Sequence, residues 1–409
     1  MSIKTAMIKL LAGFSAAPPE RKTTIDLAKH GWPGGAPNSG AGVKMGTQQA
    51  LQIPAAFACI RLIASGVAAL DLKLMSAGRN GEAPRVVTGT PEHRVLTKQP
   101  NAWQSPFEFR EMLTAHAVLE GNGFALIHRV GGRVDELIPI VPSIATVKQL
   151  PDHSRQYVVQ FANGTRAILD QTQIFHLPGL SWDGIRGLNM VGAGREALGL
   201  AAAAEGTQAR SFANGARMPG YWTTEQPLDE VQANKLRDSL VNATTGANQF
   251  KSPLLDLGIQ YKLVGQTFDD AQLVETRKHQ ILEVCAIFGV APAVLGLSDQ
   301  TQAFASVEAM QRWHLITTLT PWLKRWKARL DISVLDASGP LSVEFDTRDL
   351  TKATLRERTA SYRALVELGI MTRNEAREME GLPPLPGLDE PLTPKNMGTG
   401  DDEKADSDD

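Results

Sequence analysis

Hydrophobic positions switch period several times along this chain, and the switches mark out its elements. From Thr47 to Leu70 apolar residues recur at helical spacing; a short alternating run from Leu70 to Met75 then predicts a strand before a Gly-Arg-Asn-Gly turn. Ser105-Pro106-Phe107-Glu108 is a complete helix start, with serine to cap, proline for the first helical position and glutamate to close the capping box. That helix is expected to stop at Gly121. Two strand pairs follow, Phe124–Val130 with Val134–Ile140 about Gly131-Gly132, and Tyr157–Phe161 with Thr165–Leu169 about Asn163-Gly164. A further strand is expected at Ile174–Leu177, so the first half is α+β.

Beyond Met190 the texture changes. Small residues dominate a single predicted helix reaching about Asn214, about 35 Å long at 1.5 Å per residue. A compact insert comes next: strand Tyr221–Thr224, helix Leu228–Asn242, and strands Leu254–Leu257 and Gln260–Val264. A second long helix, Asp269–Phe288, sets Val274, Ile281, Cys285 and Phe288 on one face and ends at Gly289. After a polar, Gln-rich loop at 291–306, a third long helix runs from Val307 to Leu330. Its Trp322, Trp326 and Leu330 are expected in the core, with the interleaved lysines and arginines outward. A strand at Leu341–Phe345 precedes a C-terminal helical part, where Leu355, Thr359, Tyr362 and Val366 share a face and Thr372-x-x-Glu375 is a second capping box.

Composition adds a charge question. With 43% hydrophobic residues the chain can build real cores, and its net charge of −2 excludes the basic excess of a tight nucleic-acid binder. The last nine residues alone hold six acids and one lysine and read as a disordered acidic tail; without them the chain has 41 Lys and Arg against 38 Asp and Glu. Each phosphate contact adds salt-dependent affinity, so a near-neutral body excludes a protein that grips DNA and is merely compatible with one that DNA passes. Residues 18–46 read as a Pro/Gly-rich linker after a short N-terminal arm, and no apolar run is long enough to span a membrane. Cys59 and Cys285 sit in apolar helical stretches and read as buried free thiols, although a disulfide between them is formally open.

Chemistry-bearing motifs are sparse. Gly192-Ala-Gly194-Arg-Glu-Ala197 matches the dinucleotide fingerprint G-x-G-x-x-A, but the nearest expected strand lies about fifteen residues upstream. The glycines are better read as leading into and packing a helix, and a nucleotide-binding enzyme is the alternative. A membrane-associated ring using the N-terminal arm and the Trp322 helix is a third reading. Eight histidines never pair at metal-ligand spacing, and no phosphate-binding loop or nucleophile elbow occurs, so no catalytic residue, metal or cofactor is assigned.

The order of blocks carries more than any one motif. It includes Ala58-Cys-Ile-Arg-Leu-Ile-Ala64, Pro100-Asn101 before Ser-Pro-Phe-Glu-Phe, Gly121-Asn-Gly-Phe-Ala125, Asp183-Gly-Ile-Arg-Gly187 and Phe212-Ala-Asn-Gly-Ala216. Ile287-Phe-Gly-Val-Ala-Pro292, Leu319-Thr-Pro-Trp322 and Gly369-Ile-Met-Thr-Arg-Asn-Glu375 continue the series to Gly381-Leu-Pro-Pro384. In this order they resemble the portal proteins of long-tailed, siphovirus-type bacteriophages across about residues 50–390.

The resemblance implies a portal fold assembled as a ring of about twelve subunits at one capsid vertex, a conduit for DNA packaging and ejection rather than an enzyme. It implies an N-terminal arm at 1–46, an α/β wing at 47–189 and 306–348, stem helices at 190–216 and 269–290, and a small α/β clip at 217–268. A tunnel loop at 291–305, a helical crown at 349–395 and a tail at 396–409 complete the division. Ser298, Asp299, Gln300, Thr301 and Gln302 would face double-stranded DNA without sequence specificity. Tyr221, Trp222, Asp229, Lys235 and Arg237 would form the clip surface that docks the terminase large subunit and then head-completion or adaptor proteins. The major capsid and scaffolding proteins would be further partners, with no membrane and no cofactor. The location would be the virion, with assembly in the host cytoplasm.

Overall fold

The computed structural model describes residues 39–77, 84–161, 163–213, 220–223, 227, 229–244, 260–263, 270–296, 307–335, 339–347 and 355–392. The chain divides into two units, Met1–Asp346 and Thr347–Asp409.

The first unit opens on α1 (Thr47–Gln52) and α2 (Pro54–Ala68), then β1 (Leu72–Ser76), β2 (Arg85–Val86), α3 (Pro91–Thr97) and α4 (Pro106–Glu120). The single helix expected over Thr47–Leu70 is therefore two. Ile53, held extended at φ −81 and ψ 115 by the following proline, breaks it. At α4 the capping box forms as expected: Glu108 N donates to Ser105 Oγ, Ser105 N donates to Glu108 Oε2 at 2.7 Å, and Gly121 closes the helix at φ +79. Thr90 caps α3 one-sidedly, with His93 N donating to Thr90 Oγ1 and Pro91 at the first helical position. That start is legible in the sequence, and the hydrophobic pattern alone passed over it.

Next come β3 (Asn122–Val130), β4 (Arg133–Ile140), β5 (Ala145–Gln149), β6 (Arg155–Gln160), β7 (Arg166–Asp170) and β8 (Ile174–Pro178). They form two three-stranded antiparallel sheets, β4-β3-β8 and β5-β6-β7. The central strand β3 is buried on both sides. Its Phe124 and Leu126 meet Tyr157, Val159 and Leu169 of the second sheet, while Ala125 and Ile127 face a helical layer. An uninterrupted apolar run is what such a sandwiched strand requires.

The remaining elements of this unit are α5 (Met190–Ala193), α6 (Arg195–Ala213), β9 (Gly220–Thr223), α7 (Glu230–Thr244), β10 (Gln260–Leu263), α8 (Asp270–Phe288), α9 (Val307–His314), α10 (Thr320–Ser333) and β11 (Leu341–Phe345). β11 pairs with β1 across most of the chain's length, Leu74 opposite Val343. The helix expected from Met190 is broken at Gly194, where a Cβ would lie 2.8 Å from Ile287 Cδ1 of α8. The strand expected at Leu254–Leu257 lies outside the described residues. Between α9 and α10 the helix widens to π geometry over Leu315–Leu319, immediately before Pro321, whose ring nitrogen cannot donate to the preceding turn.

Trp326 anchors the largest core. It stacks on Phe175 at 5.2 Å, meets Phe109 edge-on at 6.4 Å, and donates from Nε1 to Thr114 Oγ1 at 3.0 Å. Leu330 is buried beside it as expected, but Trp322 is only half-buried, with the Arg325 guanidinium 4.8 Å from its ring centroid. Buried Arg110 ends α2 by donating to the carbonyls of Ala68 and Leu70.

The second unit holds α11 (Leu355–Glu367) and α12 (Arg373–Met379). The capping box at Thr372 forms, with Glu375 N donating to Thr372 Oγ1 and Thr372 N to Glu375 Oε2.

Candidate channel and docking surfaces

Helices α6 and α8 pack against each other and run back into the core built on α1 and α2. Small residues make this close packing feasible. Gly194 admits Ile287, and the backbone N–H of Gly40 donates to Glu196 Oε2 at 2.7 Å near the start of α6, a bond that holds the Glu196 carboxyl below its ordinary range. Farther along, Arg277 of α8 donates to Gln208 of α6. Of the face expected on α8, Cys285 and Phe288 are buried and Ile281 is half-buried, while the side chain of Val274 lies outside the described residues.

Cys59 and Cys285, 226 positions apart, meet in this core with their Sγ atoms 3.9 Å apart, both as free thiols and both buried. The hydrogen bond to Cys285, reinforced by burial, pushes the Cys59 thiol far above its ordinary pKa. Sequence reasoning found each thiol's buried helix but not their contact, because nothing local encodes a pairing between distant helices.

α8 closes at Gly289, and Thr318 Oγ1 of the π-helical turn donates to the Gly289 carbonyl at 2.8 Å. A 3-10 turn, Pro292–Leu295, ends at Gly296 in the left-handed region. The expected DNA-facing residues Ser298, Asp299, Gln300, Thr301 and Gln302 lie outside the described residues.

In the insert, β9 and β10 pair antiparallel, Tyr221 opposite Lys262 and Trp222 opposite Tyr261. The side chains of Tyr221 and Trp222 lie outside the described residues. Asp229 is already engaged, its Oδ1 accepting from Val231 N at 2.6 Å and Gln232 N at 3.0 Å as the cap of α7. Lys235 and Arg237 are exposed on α7. Of the five residues expected to form one docking surface, three stand at or on α7 and two on β9, which pairs with β10.

The most polar buried site has another character. His176 Nε2–H donates to Asn122 Oδ1 at 3.0 Å, which leaves Nδ1 to accept from the Tyr157 hydroxyl at 3.2 Å. Asn122 in turn accepts from Gly187 N at 2.8 Å, tying the sheets to the loop after β8. Burial, with Arg329 and Arg155 nearby, drives the His176 pKa well below its ordinary value. The ring is neutral and satisfied, which is structural glue rather than acid–base machinery.

The glycines of the dinucleotide-like motif have a comparable explanation. Asn189 caps α5 by accepting from Gly192 N, and the strand before them ends at Pro178, so the strand–turn–helix that would cradle a pyrophosphate is not formed. Among the described residues no cluster of three or more His, Cys, Asp or Glu could hold a metal, and no helix is long and apolar enough to cross a membrane.

The sequence profile of the family described as phage portal protein matches residues 54–381. The chain is 28% identical over 385 residues to the portal protein of Enterobacteria phage HK97, across 93% of this chain and 88% of that protein. It is also 28% identical over 366 residues to the probable portal protein of Streptomyces phage phiC31, across 85% of this chain and 79% of that protein. Among solved structures its fold matches a chain in the neck of a native gene transfer agent particle computed with C12 symmetry. The TM-score is 0.56 at 23% identity, covering 85% of this chain and 97% of that one.

Proposed function

Because this chain belongs to the phage portal protein family, we propose that about twelve copies close into a ring at one capsid vertex, the channel through which DNA is packaged and later ejected. The observation that carries this reading is the pair α6 and α8. Two 19-residue helices pack on each other, root in the wing core through Leu198, Val284 and Phe288, and flank the small β9–α7–β10 module. A stem with a docking module at its far end has this composition.

In this reading residues 47–189 and 306–348 are the wing, 190–216 and 269–290 the stem, 217–268 the clip and 349–395 the crown. The loop at 291–305 narrows the channel, and its Ser298, Asp299, Gln300, Thr301 and Gln302 touch DNA through mostly uncharged groups that do not trap phosphates. Tyr221, Trp222, Lys235 and Arg237 dock the terminase large subunit and then head-completion proteins, while Asp229 serves the clip by capping α7. The role is structural, and the energy of packaging comes from a separate motor.

Native mass measurement with negative-stain imaging tests the reading. Rings of about twelve with an axial hole are expected; monomers alone under assembly conditions would overturn it. Robust ATP hydrolysis by the pure protein would restore the nucleotide-enzyme alternative at Gly192 and Gly194.

A further inference from the structure

Cys59 on α2 and Cys285 on α8 are the chain's only cysteines, and the fold brings them into contact. The contact has a direction. Cys59 Sγ–H donates to Cys285 Sγ at 3.9 Å, and that bond holds the Cys285 thiol below its ordinary pKa while Cys59 stays protonated. Cys285 is therefore the sulfur that ionises first, and the thiolate is the reactive form. A buried cysteine on its own is inert and serves as a small apolar side chain, a role that needs no second sulfur. Two buried thiols in contact have a further chemistry open to them.

Their place in the fold gives that chemistry a consequence. α2 packs on α4 and α8 packs on α6, so the α2–α8 seam is where the helices layered on the first sheet meet the long helix pair. Beside this seam lies a cavity of about 220 Å³, lined in part by Ile63, one helical turn beyond Cys59, and by Ala286, the residue after Cys285. It has room for several water-sized molecules, which gives a small oxidant a place next to both helices. The two sulfurs need to approach by only about 2 Å to reach bonding distance.

We propose that Cys59 and Cys285 are an oxidative staple, a thiol pair that hydrogen peroxide converts into one disulfide, tying the buried end of α8 to α2. The Cys285 thiolate attacks one peroxide oxygen, the O–O bond breaks, and the departing hydroxide takes up the proton that Cys285 released. The product is a sulfenic acid on Cys285 and one water. Cys59 Sγ then attacks Cys285 Sγ, the S–O bond breaks, and the departing hydroxide leaves as water with the Cys59 proton. Two thiols and one peroxide become one disulfide and two waters, the sulfurs losing the two electrons that the peroxide gains. A reducing cytoplasm keeps such a pair open and an oxidising exterior closes it. A particle assembled inside a cell therefore carries the thiols and the released particle the disulfide. This timing, unlike the pairing, rests on the virion reading above.

The test treats the folded, fully reduced full chain with hydrogen peroxide. Alkylation after unfolding should count a fall from two thiols to none, and digestion should yield the Cys59 peptide joined to the Cys285 peptide. The unfolding midpoint should rise by about 5–10 °C over the reduced chain. Cys59→Ala should stop at a sulfenic acid on Cys285 that dimedone traps, and Cys285→Ala should leave Cys59 reduced. The wild-type readouts decide the pairing whether or not these variants fold. Two persisting thiols, a trapped sulfenic acid without the joined peptides, or a disulfide between separate chains would each overturn the proposal. Joined peptides with no rise in the midpoint would overturn the staple. For the timing, alkylation inside cells that make the particle should find two thiols on the chain, and alkylation of released particles none. Two thiols in released particles would overturn closure on release. Absence of the chain from released particles would sink the virion reading and leave the peroxide result standing.

Discussion

Trp326 and Leu382 are both large apolar side chains, yet one is 1% exposed and the other 49%. The contrast holds across the two units. In the first, helices and sheets converge on three buried clusters. In the second, Leu368, Ile370, Met379, Leu382, Leu385 and Leu392 are all exposed, and no large apolar side chain among its described residues is buried. Its order comes from polar contacts. Glu380 accepts from the Tyr362 hydroxyl and the Arg358 guanidinium, both at 3.0 Å, and Asn374 bonds Leu385 and Asp389. Hydrophobic burial scales with area and tolerates small errors, whereas a polar tie is local and fails singly. The first unit should therefore respond to lost volume and the second to lost partners.

The largest effect should come from Trp326→Ala. It removes the stack on Phe175, the edge contact with Phe109 and the bond to Thr114, and should cost the first unit about 3–5 kcal/mol. Thermal unfolding followed by circular dichroism checks it. A loss under 1 kcal/mol would mean that the core is not concentrated at this residue, and half of the contrast would fall.

Acid should separate the units next. His176, His116 and His314 are all held below their ordinary pKa by burial, while the sequence beyond His314 contains no histidine. Below about pH 6.5 the unfolded chain takes up protons that these folded rings refuse. Stability of the first unit then falls with pH, by up to about 1.4 kcal/mol per pH unit for each ring, until the folded pKa is reached. Hydrogen exchange between pH 7 and 5 should show faster opening in β6 and β8 without a matching histidine-linked change in α11 and α12. Equal acid sensitivity in both units would contradict the assignment.

What the sequence revealed follows the same division between local and distant causes. The boxes at Ser105 and Thr372 and the stop at Gly121 are written within a few residues and were legible. The break at Ile53 was legible too, through Pro54, but a continuous apolar pattern masked it. The pairing of β1 with β11 and the meeting of Cys59 with Cys285 depend on residues more than 200 positions apart, and periodicity carries no information about partners. β5 is hard to read from the pattern because only Val147 of its five residues is fully buried, with Ala145 packed beside it. The Trp322 expectation holds only in part: the indole packs against two of the cores but stays half-buried, with the Arg325 guanidinium over its ring.

Glu380→Ala probes the second unit as Trp326→Ala probes the first. It removes the acceptor shared by Tyr362 and Arg358 and should loosen α11 from α12 by about 1–2 kcal/mol. Limited proteolysis should then cut between residues 355 and 392 more readily, with the unfolding of the first unit unchanged.

The smallest effect makes the sharpest comparison, because the same motif occurs in both units. Ser105→Ala and Thr372→Ala each delete a side-chain acceptor for the backbone N–H three residues on, and each should cost about 1 kcal/mol locally. In α4 that loss is set against Phe109, Leu113 and Ala117 buried in the main core, so exchange at the helix start should rise while the middle of α4 stays protected. α12 has seven residues and no apolar side chain among its buried ones, so the same loss should speed exchange along its whole length. Equal fraying in the two helices would show that caps, not cores, set helix stability in both units.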